Sequence, residues 1–198
     1  MLDVFDRPDG NLVGSVASSG QTWATKAGPA PTMLVRGRTA VGVVNEESGA
    51  QVNSAFSAPQ FAGDWWARCV FRFPVLAAGA NAFGCWLGEE TLGPYAGVVV
   101  QPTGGSGADL TGGNILAGDL GTHVDTCFPD ADHEIVFAFE AAGGNVRLIF
   151  DDVVVASASG YVLDPGTVLV FQVAELLDVT AVVVPMLEVE LATGVYPG

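Results

Sequence analysis

Apolar residues alternate with polar or small residues along the chain, in short runs that Gly, Pro, Asn or Asp separate. This period of two is the pattern of β-strands, whose successive side chains point to opposite faces of a sheet. The clearest runs are Glu134–Glu140, Asn145–Asp151 and Met186–Ala192, and each predicts a half-buried antiparallel strand. No window of a dozen residues carries a helical stripe, so the pattern predicts an all-β protein.

Glycine and valine mark the turns and the inner strands of the predicted sheets. Ala141–Gly144 joins two of the runs, and its paired glycines supply the positive φ of a hairpin turn. Two glycine-rich stretches, Pro102–Gly107 and Thr111–Gly113, predict a long mobile loop. Continuous valine runs fit strands that are covered on both faces, and there are three of them: Val98–Val100, Val153–Val155 and Val182–Val184.

The chain length of 198 residues suits one large β domain. Neither an internal repeat nor a Pro- or Ser-rich linker divides the sequence. We therefore expect residues 1–198 to form a single domain. Many short strands without helices leave a two-sheet sandwich or a barrel as the architecture.

The opening of the chain resembles that of a known family of β domains. Asp3–Leu12 reads D-x-F-x-R-x-D-G-x-L, and Gly20–Trp23 follows as G-x-x-W. In this order the two segments resemble the start of the concanavalin A-like, or laminin G-like, jelly rolls. Later segments agree with the same family: Val35–Arg38, Trp65–Phe73 and Asn145–Asp152. The resemblance implies a two-sheet antiparallel jelly-roll sandwich, with Phe5 in the core and Arg7 available to pair with an acid.

The resemblance also implies a setting for the protein. Domains of this kind look common in virion proteins of tailed phages and in secreted glycan-binding proteins, so the fold alone says little about activity. We expect a non-enzymatic phage structural protein, in the minor tail, the tail tip or the capsid surface. It would join other virion proteins or copies of itself, with a host-surface glycan as a further contact. The alternatives are a free-standing carbohydrate-binding module and a glucanase-type hydrolase.

The charge and the cysteine content limit the classes of binding partner and the cellular compartment that we expect for the protein. The formal net charge of −15 repels nucleic acid and anionic membranes. No apolar stretch is long enough to cross a bilayer, and the first residues lack the regions of a signal peptide. Cys69, Cys85 and Cys127 are odd in number and lack C-x-x-C spacing, so we expect three reduced thiols. The unpaired cysteines favour assembly in a reducing cytosol, and together with the virion setting that the resemblance implies we expect a virion protein assembled in the host cytoplasm.

The candidate binding residues are aromatic and basic. Trp66 and Trp86 fall on two consecutive predicted strands, which we expect to pair. If Phe71 faces the core, alternation places Trp66, Arg68 and Arg72 on the outer face, and Trp86 also points outward. This tryptophan–arginine surface (Trp66, Arg68, Arg72 and Trp86) suits glycan stacking and a protein interface equally well. Coverage of the rings by neighbouring segments is a third interpretation.

Patterns for catalysis and metal binding are weak. The related glucanases carry catalytic carboxylates along one strand, and Asp130–Glu134 is the nearest approach to this pattern. Pro129 precedes these acids and the apolar alternation starts after them, which predicts a solvated loop, so we expect no catalytic residue. The same acids, or Asp6 with Asp9, are candidate calcium ligands, but neither segment matches an EF-hand loop. We therefore expect no cofactor, with calcium as the minority alternative.

Overall fold

The structure is a computed structural model of the chain. Its described backbone comprises residues 2–12, 14–25, 32–36, 39–43, 52–57, 63–72, 82–89, 93–102, 108–112, 114–115, 118–119, 122–125, 131–160, 167–174 and 186–198. Side chains are described at residues 2–12, 14–23, 63–72, 131–154, 157–160 and 187–198. These ranges contain no helix, and so none with the length and apolarity needed to cross a membrane.

The described residues form eighteen strands, and every pairing between them is antiparallel. In chain order the strands are β1 (Leu2–Asp3), β2 (Gly10–Asn11), β3 (Ala24–Thr25), β4 (Thr32–Arg36), β5 (Thr39–Val43), β6 (Val52–Ser57), β7 (Trp65–Phe71), β8 (Ala82–Glu89), β9 (Gly93–Pro102), β10 (Ala108–Gly112), β11 (Asn114–Ile115), β12 (Gly118–Asp119), β13 (Thr122–Asp125), β14 (His133–Glu140), β15 (Asn145–Phe150), β16 (Val153–Ala158), β17 (Thr167–Ala174) and β18 (Met186–Thr193). The predicted all-β class is confirmed.

Two large sheets contain most of these strands. The first sheet has nine strands, in the order β16-β15-β14-β7-β18-β5-β4-β2, with β1 also paired to β18. The second sheet has seven, in the order β13-β10-β9-β8-β17-β6-β3, and β11 pairs with β12 separately. The chain crosses between the large sheets several times, for example from β7 to β8 and from β13 to β14. Strands that are consecutive in the sequence therefore often lie in different sheets.

One face of the first sheet forms the described apolar core. The ring of Trp65 is fully buried there and stacks on Phe137 and Phe139 at centroid distances of 5.7 and 5.8 Å. Alternate residues of β7, β14, β15 and β18 are buried on this face: Trp65, Ala67, Cys69, Phe71, Ile135, Phe137, Phe139, Val146, Leu148, Phe150, Val189 and Leu191. A continuous buried face is what packing against a second sheet requires. Cys69 forms no disulfide, while the side chains of Cys85 and Cys127 lie outside the described residues.

The predicted hairpin is confirmed, and one predicted loop was wrong. Ala141–Gly144 connects β14 to β15, with φ values of 90° at Gly143 and 61° at Gly144. Thr111 belongs to β10 and not to a loop. It is paired with Val99 of β9 on one side and with Thr122 of β13 on the other. The expected coverage of the run Val153–Val155 on both faces was wrong, because β16 is an edge strand and Val153 and Val154 are exposed. Residues 103–107 and the run Val182–Val184 lie outside the described residues.

The opening motif folds around the buried carboxylate of Asp3. Arg7 donates to its two oxygens at 2.8 and 2.9 Å, and the indole N–H of Trp23 donates to Oδ2 at 2.6 Å. The backbone N–H of Phe5 donates to Oδ1 at 2.9 Å. Burial alone raises the pKa of Asp3, but these hydrogen bonds outweigh it and hold the pKa below its ordinary value. Phe5 is fully buried and Arg7 pairs with Asp3, so the roles predicted for both residues are confirmed.

We predict that Asp3→Asn lowers the free energy of unfolding at pH 7 by about 3 kcal/mol, the low end for a broken buried ion pair. The low end applies because the Arg7 side chain keeps 17% of its exposure. Since the pKa of Asp3 is lowered on folding, the carboxylate stabilises the fold above the unfolded pKa of about 4. This contribution is lost as the pH falls through the folded pKa.

Urea unfolding of wild type and Asp3→Asn at pH 7 and pH 3 measures both effects, and the difference between the two proteins should shrink at pH 3. Asp152→Asn, at an exposed turn position, is the control and should change stability little. Equal stability of wild type and Asp3→Asn at pH 7 would contradict the role assigned to Asp3.

Candidate functional site

The structure separates the four residues of the predicted tryptophan–arginine surface. Trp66 and Arg68 lie on β7 and Arg72 follows its end, all in the first sheet, whereas Trp86 lies on β8 in the second sheet. The expected pairing of these two strands was wrong, since β7 pairs with β14 and β18, and β8 pairs with β9 and β17. The physical reason is that the chain crosses from one sheet to the other between β7 and β8.

Trp66 occupies the predicted face of β7, but its ring is covered. Only 9% of the residue is exposed, and it packs in a cluster with Val136, Ala138 and Ile149 on the face opposite Trp65. The ring of Tyr196 meets it edge-on at a centroid distance of 5.4 Å. The expectation of an exposed Trp66 ring was therefore wrong, because the segment after β18 folds back over this face.

Arg68 lies next to Trp66 on the same face and holds two glutamates. Its Nε donates to Glu134 at 2.5 Å, and its Nη1 donates to Glu188. Burial alone lowers the pKa of Arg68, but the two glutamates outweigh it and raise the pKa. The hydroxyl of Tyr196 donates to the other oxygen of Glu134 at 3.2 Å. Burial and the charge of Glu134 raise the pKa of Tyr196, which keeps the phenol protonated as a donor.

Arg72 is the most accessible of the predicted residues whose side chains are described. It binds Asp132 through a 2.7 Å hydrogen bond from Nε, and both side chains remain about half exposed. An exposed ion pair of this kind contributes at most about 1 kcal/mol, because water and salt screen it. Its guanidinium can therefore exchange Asp132 for another partner at small cost.

An open groove of about 280 Å³ lies beside these residues. His133 is buried at its base, where the ring stacks on Phe150 at 5.4 Å and Nδ1 lies 2.8 Å from a carboxylate oxygen of Asp151. The other Asp151 oxygen accepts the backbone N–H of Glu134 at 2.8 Å. The groove is lined by Arg68, Val70, Asp132, His133, Glu134, Asp151 and Asp152. Asp151 thus fixes the start of β14 to the turn that follows β15.

Two of the acids proposed for catalysis or calcium binding, Asp132 and Glu134, are held by arginines. Glu134 is bound by Arg68 and Tyr196, and Asp132 is bound by Arg72. In the described part of the chain, no group of three or more His, Cys, Asp or Glu side chains could hold a metal ion. The other candidate calcium ligands, Asp6 and Asp9, are exposed, and Asp130 lies outside the described residues.

The second sheet places glycine at three positions around Trp86. Trp86 is in register with Gly97 on β9 and with Val170 on β17. Alternation along β8 puts Gly84 and Gly88 on the same face of the sheet as Trp86. The three glycines contribute no side chain to the face that Trp86 shares.

Amide residues share the Trp86 face in the neighbouring strands. Gln172 on β17 is in register with Gly84, and Asn53 on β6 is in register with Gln172. The alternate positions in the middle of β8 and β17 are apolar (Phe83, Cys85, Leu87, Leu169, Phe171 and Val173), with Glu89 and Thr167 at the strand ends. The alternation along these strands predicts that the apolar positions face the first sheet and that the Trp86 face is the outer one.

The sequence interpretation missed Tyr196, Glu188, Asn53 and Gln172. Glu188 is 120 residues from Arg68 in the chain, so no local spacing connects the two. Asn53 and Gln172 meet only through the order of strands in the second sheet. Their register depends on crossovers that alternation does not reveal, which is why they could not be found from the pattern.

The overall arrangement is similar to those of solved sugar-binding and sugar-cleaving proteins. The carbohydrate recognition domain of Emp47p aligns with a TM-score of 0.64 at 12% identity, over 93% of this chain and 94% of that one. The calcium-bound exoplasmic/lumenal domain of VIP36 aligns with a TM-score of 0.67 at 12% identity, over 95% and 90%. An endo-1,3-β-glucanase from Streptomyces sioyaensis aligns with a TM-score of 0.60 at 13% identity, over 96% and 94%.

The chain has a concanavalin A-like jelly-roll fold. The fold expected from the opening motif is thereby confirmed. No protein-family model and no curated protein sequence matches the chain. At these identities the likeness concerns the concanavalin A-like fold, and the activity has to be argued from the residues.

We predict that Trp66→Ala lowers the free energy of unfolding by about 3–5 kcal/mol, the usual cost of truncating a buried aromatic residue. Tyr196→Phe keeps the ring contact, loses only the hydrogen bond to Glu134, and should cost about 1 kcal/mol. Chemical unfolding of both variants measures these values. A Trp66→Ala protein as stable as wild type would show that the ring is not part of a packed cluster.

Proposed function

We propose that the chain is a carbohydrate-binding module that holds a glycan on the Trp86 face of its second sheet. The observation that carries this proposal is the register of Trp86 with Gly97 and Val170, between Gly84 and Gly88 on its own strand. A sugar ring stacks its C–H face on an aromatic ring, and it needs a flat space free of bulky side chains to do so.

The amides of the same face supply the polar part of recognition. Asn53 and Gln172 each carry one acceptor and two donor hydrogens, which match the hydroxyl groups of a sugar. A few convergent polar groups around an apolar surface are the usual composition of a small-molecule site. The fold supports the same interpretation. The carbohydrate recognition domain of Emp47p has a similar fold, and the similar VIP36 domain has been solved with Man3GlcNAc bound.

We predict that the wild-type chain binds a β-1,3-glucan oligosaccharide or Man3GlcNAc, and that Trp86→Ala weakens this binding at least about tenfold. A lost stacking contact together with its burial exceeds the roughly 1.4 kcal/mol that corresponds to a factor of ten. Isothermal titration with laminarihexaose and with Man3GlcNAc measures the affinities. Trp86→Phe is the matched control, since it keeps an aromatic ring at this position.

Thermal melts should show that Trp86→Ala and Trp86→Phe fold equally well. Absence of binding by wild type to both glycans, or equal binding by wild type and Trp86→Ala, would contradict the proposed site.

We further propose that the module binds glycan without cleaving it. The two described acids of the glucanase-like segment, Asp132 and Glu134, form ion pairs with Arg72 and Arg68. A general acid or a nucleophile in a glycosidase has to approach the scissile bond, and these arginines would have to release the carboxylates first. The solved relative that is a glucanase keeps a hydrolase as the alternative.

We predict no release of reducing ends from laminarin by wild type, Glu134→Gln or Asp132→Asn. A reducing-sugar assay with a known β-1,3-glucanase as positive control measures this. Cleavage by wild type that disappears in either variant would establish the hydrolase instead.

Two further expectations from the sequence remain predictions. Glycan binding should persist in a chelator, because Asp132 and Glu134 are paired with arginines, although VIP36 has been solved in a calcium-bound form. A role in a phage virion, with assembly in the host cytoplasm and other virion proteins as partners, rests only on the resemblance of the opening motif.

A further inference from the structure

The C-terminal segment after β18 crosses the outer face of the first sheet. The backbone N–H of Gly194 donates to the carbonyl of Asp64 at 2.7 Å, and Gly194 has a φ of 105°, which turns the chain back over β7. Within this segment Tyr196 is partly buried, while Val195, Pro197 and Gly198 are exposed. We call residues 194–198 the strap.

Tyr196 makes the contacts by which the strap covers Trp66. Its ring lies edge-on to the indole at 5.4 Å, with an angle of 69° between the planes, and its hydroxyl donates to Glu134. Beneath it, the ion pairs of Arg68 with Glu134 and Glu188 do not involve the strap. Removal of Tyr196 would therefore leave an indole beside a fixed arginine and a carboxylate.

Tyr196 makes the two kinds of contact that a sugar unit would make at this position. Both present a ring to an indole and a hydroxyl donor to a carboxylate. We propose that the strap is a displaceable cover over a second glycan site, formed by Trp66, Arg68 and Glu134, and that Tyr196 occupies the place of the sugar ring. This inference rests on the proposed function for its ligand class, and it concerns the opposite sheet from Trp86.

A closed strap reduces the apparent affinity of the covered site by the fraction of molecules in which it is open. Removing the Tyr196 side chain abolishes that reduction. The 198-residue chain with Trp86→Ala, in which the Trp86 face is disabled, provides the background for the test. In this background we compare Tyr196 with Tyr196→Ala, and with Tyr196→Phe as the control that keeps the covering ring.

Titration with laminarihexaose and with Man3GlcNAc should show at least about tenfold tighter binding by the Trp86→Ala/Tyr196→Ala protein than by Trp86→Ala alone. The Trp86→Ala/Tyr196→Phe protein should stay within a few-fold of Trp86→Ala. No gain on removing the Tyr196 side chain, in a protein whose melting curve remains cooperative, would overturn the strap proposal.

Amide hydrogen exchange is a second measurement, and it uses the wild-type protein, so it does not depend on whether a variant folds. In wild type, amide hydrogen exchange of Gly194 should be faster than that of the β7 and β18 amides and should not follow global unfolding. Exchange of Gly194 only through global unfolding would overturn the proposal. Failure of the proposed function is distinguishable, because Trp86→Ala would then bind glycan as well as wild type does, whatever the state of Tyr196.

Discussion

The apolar face shared by β7, β14, β15 and β18 is the constraint on which the rest of the structure depends. Trp65 stacks on Phe137 and Phe139 there, so three large rings from two neighbouring strands fix the register of the sheet. A shift of one residue would turn every one of these rings to the opposite face. That opposite face carries Arg68 with its two glutamates, which could not be buried in their place without losing hydration.

The local parts of the fold could be predicted from the sequence because their signals are local. Alternation defined β14 and β15, and the glycine pair at 143 and 144 defined their hairpin. The opening motif is also compact in sequence: Asp3 and Arg7 are four residues apart, and Trp23 lies close behind. Arg7 and Trp23 both donate hydrogen bonds to the Asp3 carboxylate, so the structure of the motif follows from residues within the motif itself.

The sequence-based predictions of strand pairing and of side-chain exposure were wrong where they depend on which of the two sheets contains each strand. Alternation correctly divided β7 into two faces, but it could not show that β8 belongs to the second sheet. It could not show either that Tyr196, 130 residues after Trp66 in the chain, covers the indole. Exposure of a sheet face is a property of the whole topology, and a pattern with a period of two reports only which residues share a face.

The large apolar surface of the Trp66 indole explains both its suitability for binding a ligand and the need for a cover. An uncovered indole next to Val136 and Ile149 would extend an apolar patch on the sheet surface, which invites nonspecific association. A strap held by one backbone hydrogen bond and one tyrosine removes that patch at a small ordering cost. A ligand opens such a strap only as far as its affinity for the open state exceeds that for the closed state. A glycan with a single ring that replaces Tyr196 would gain little over the tyrosine itself, so the covered site should favour longer glycans that also reach Arg72 at the accessible end of β7.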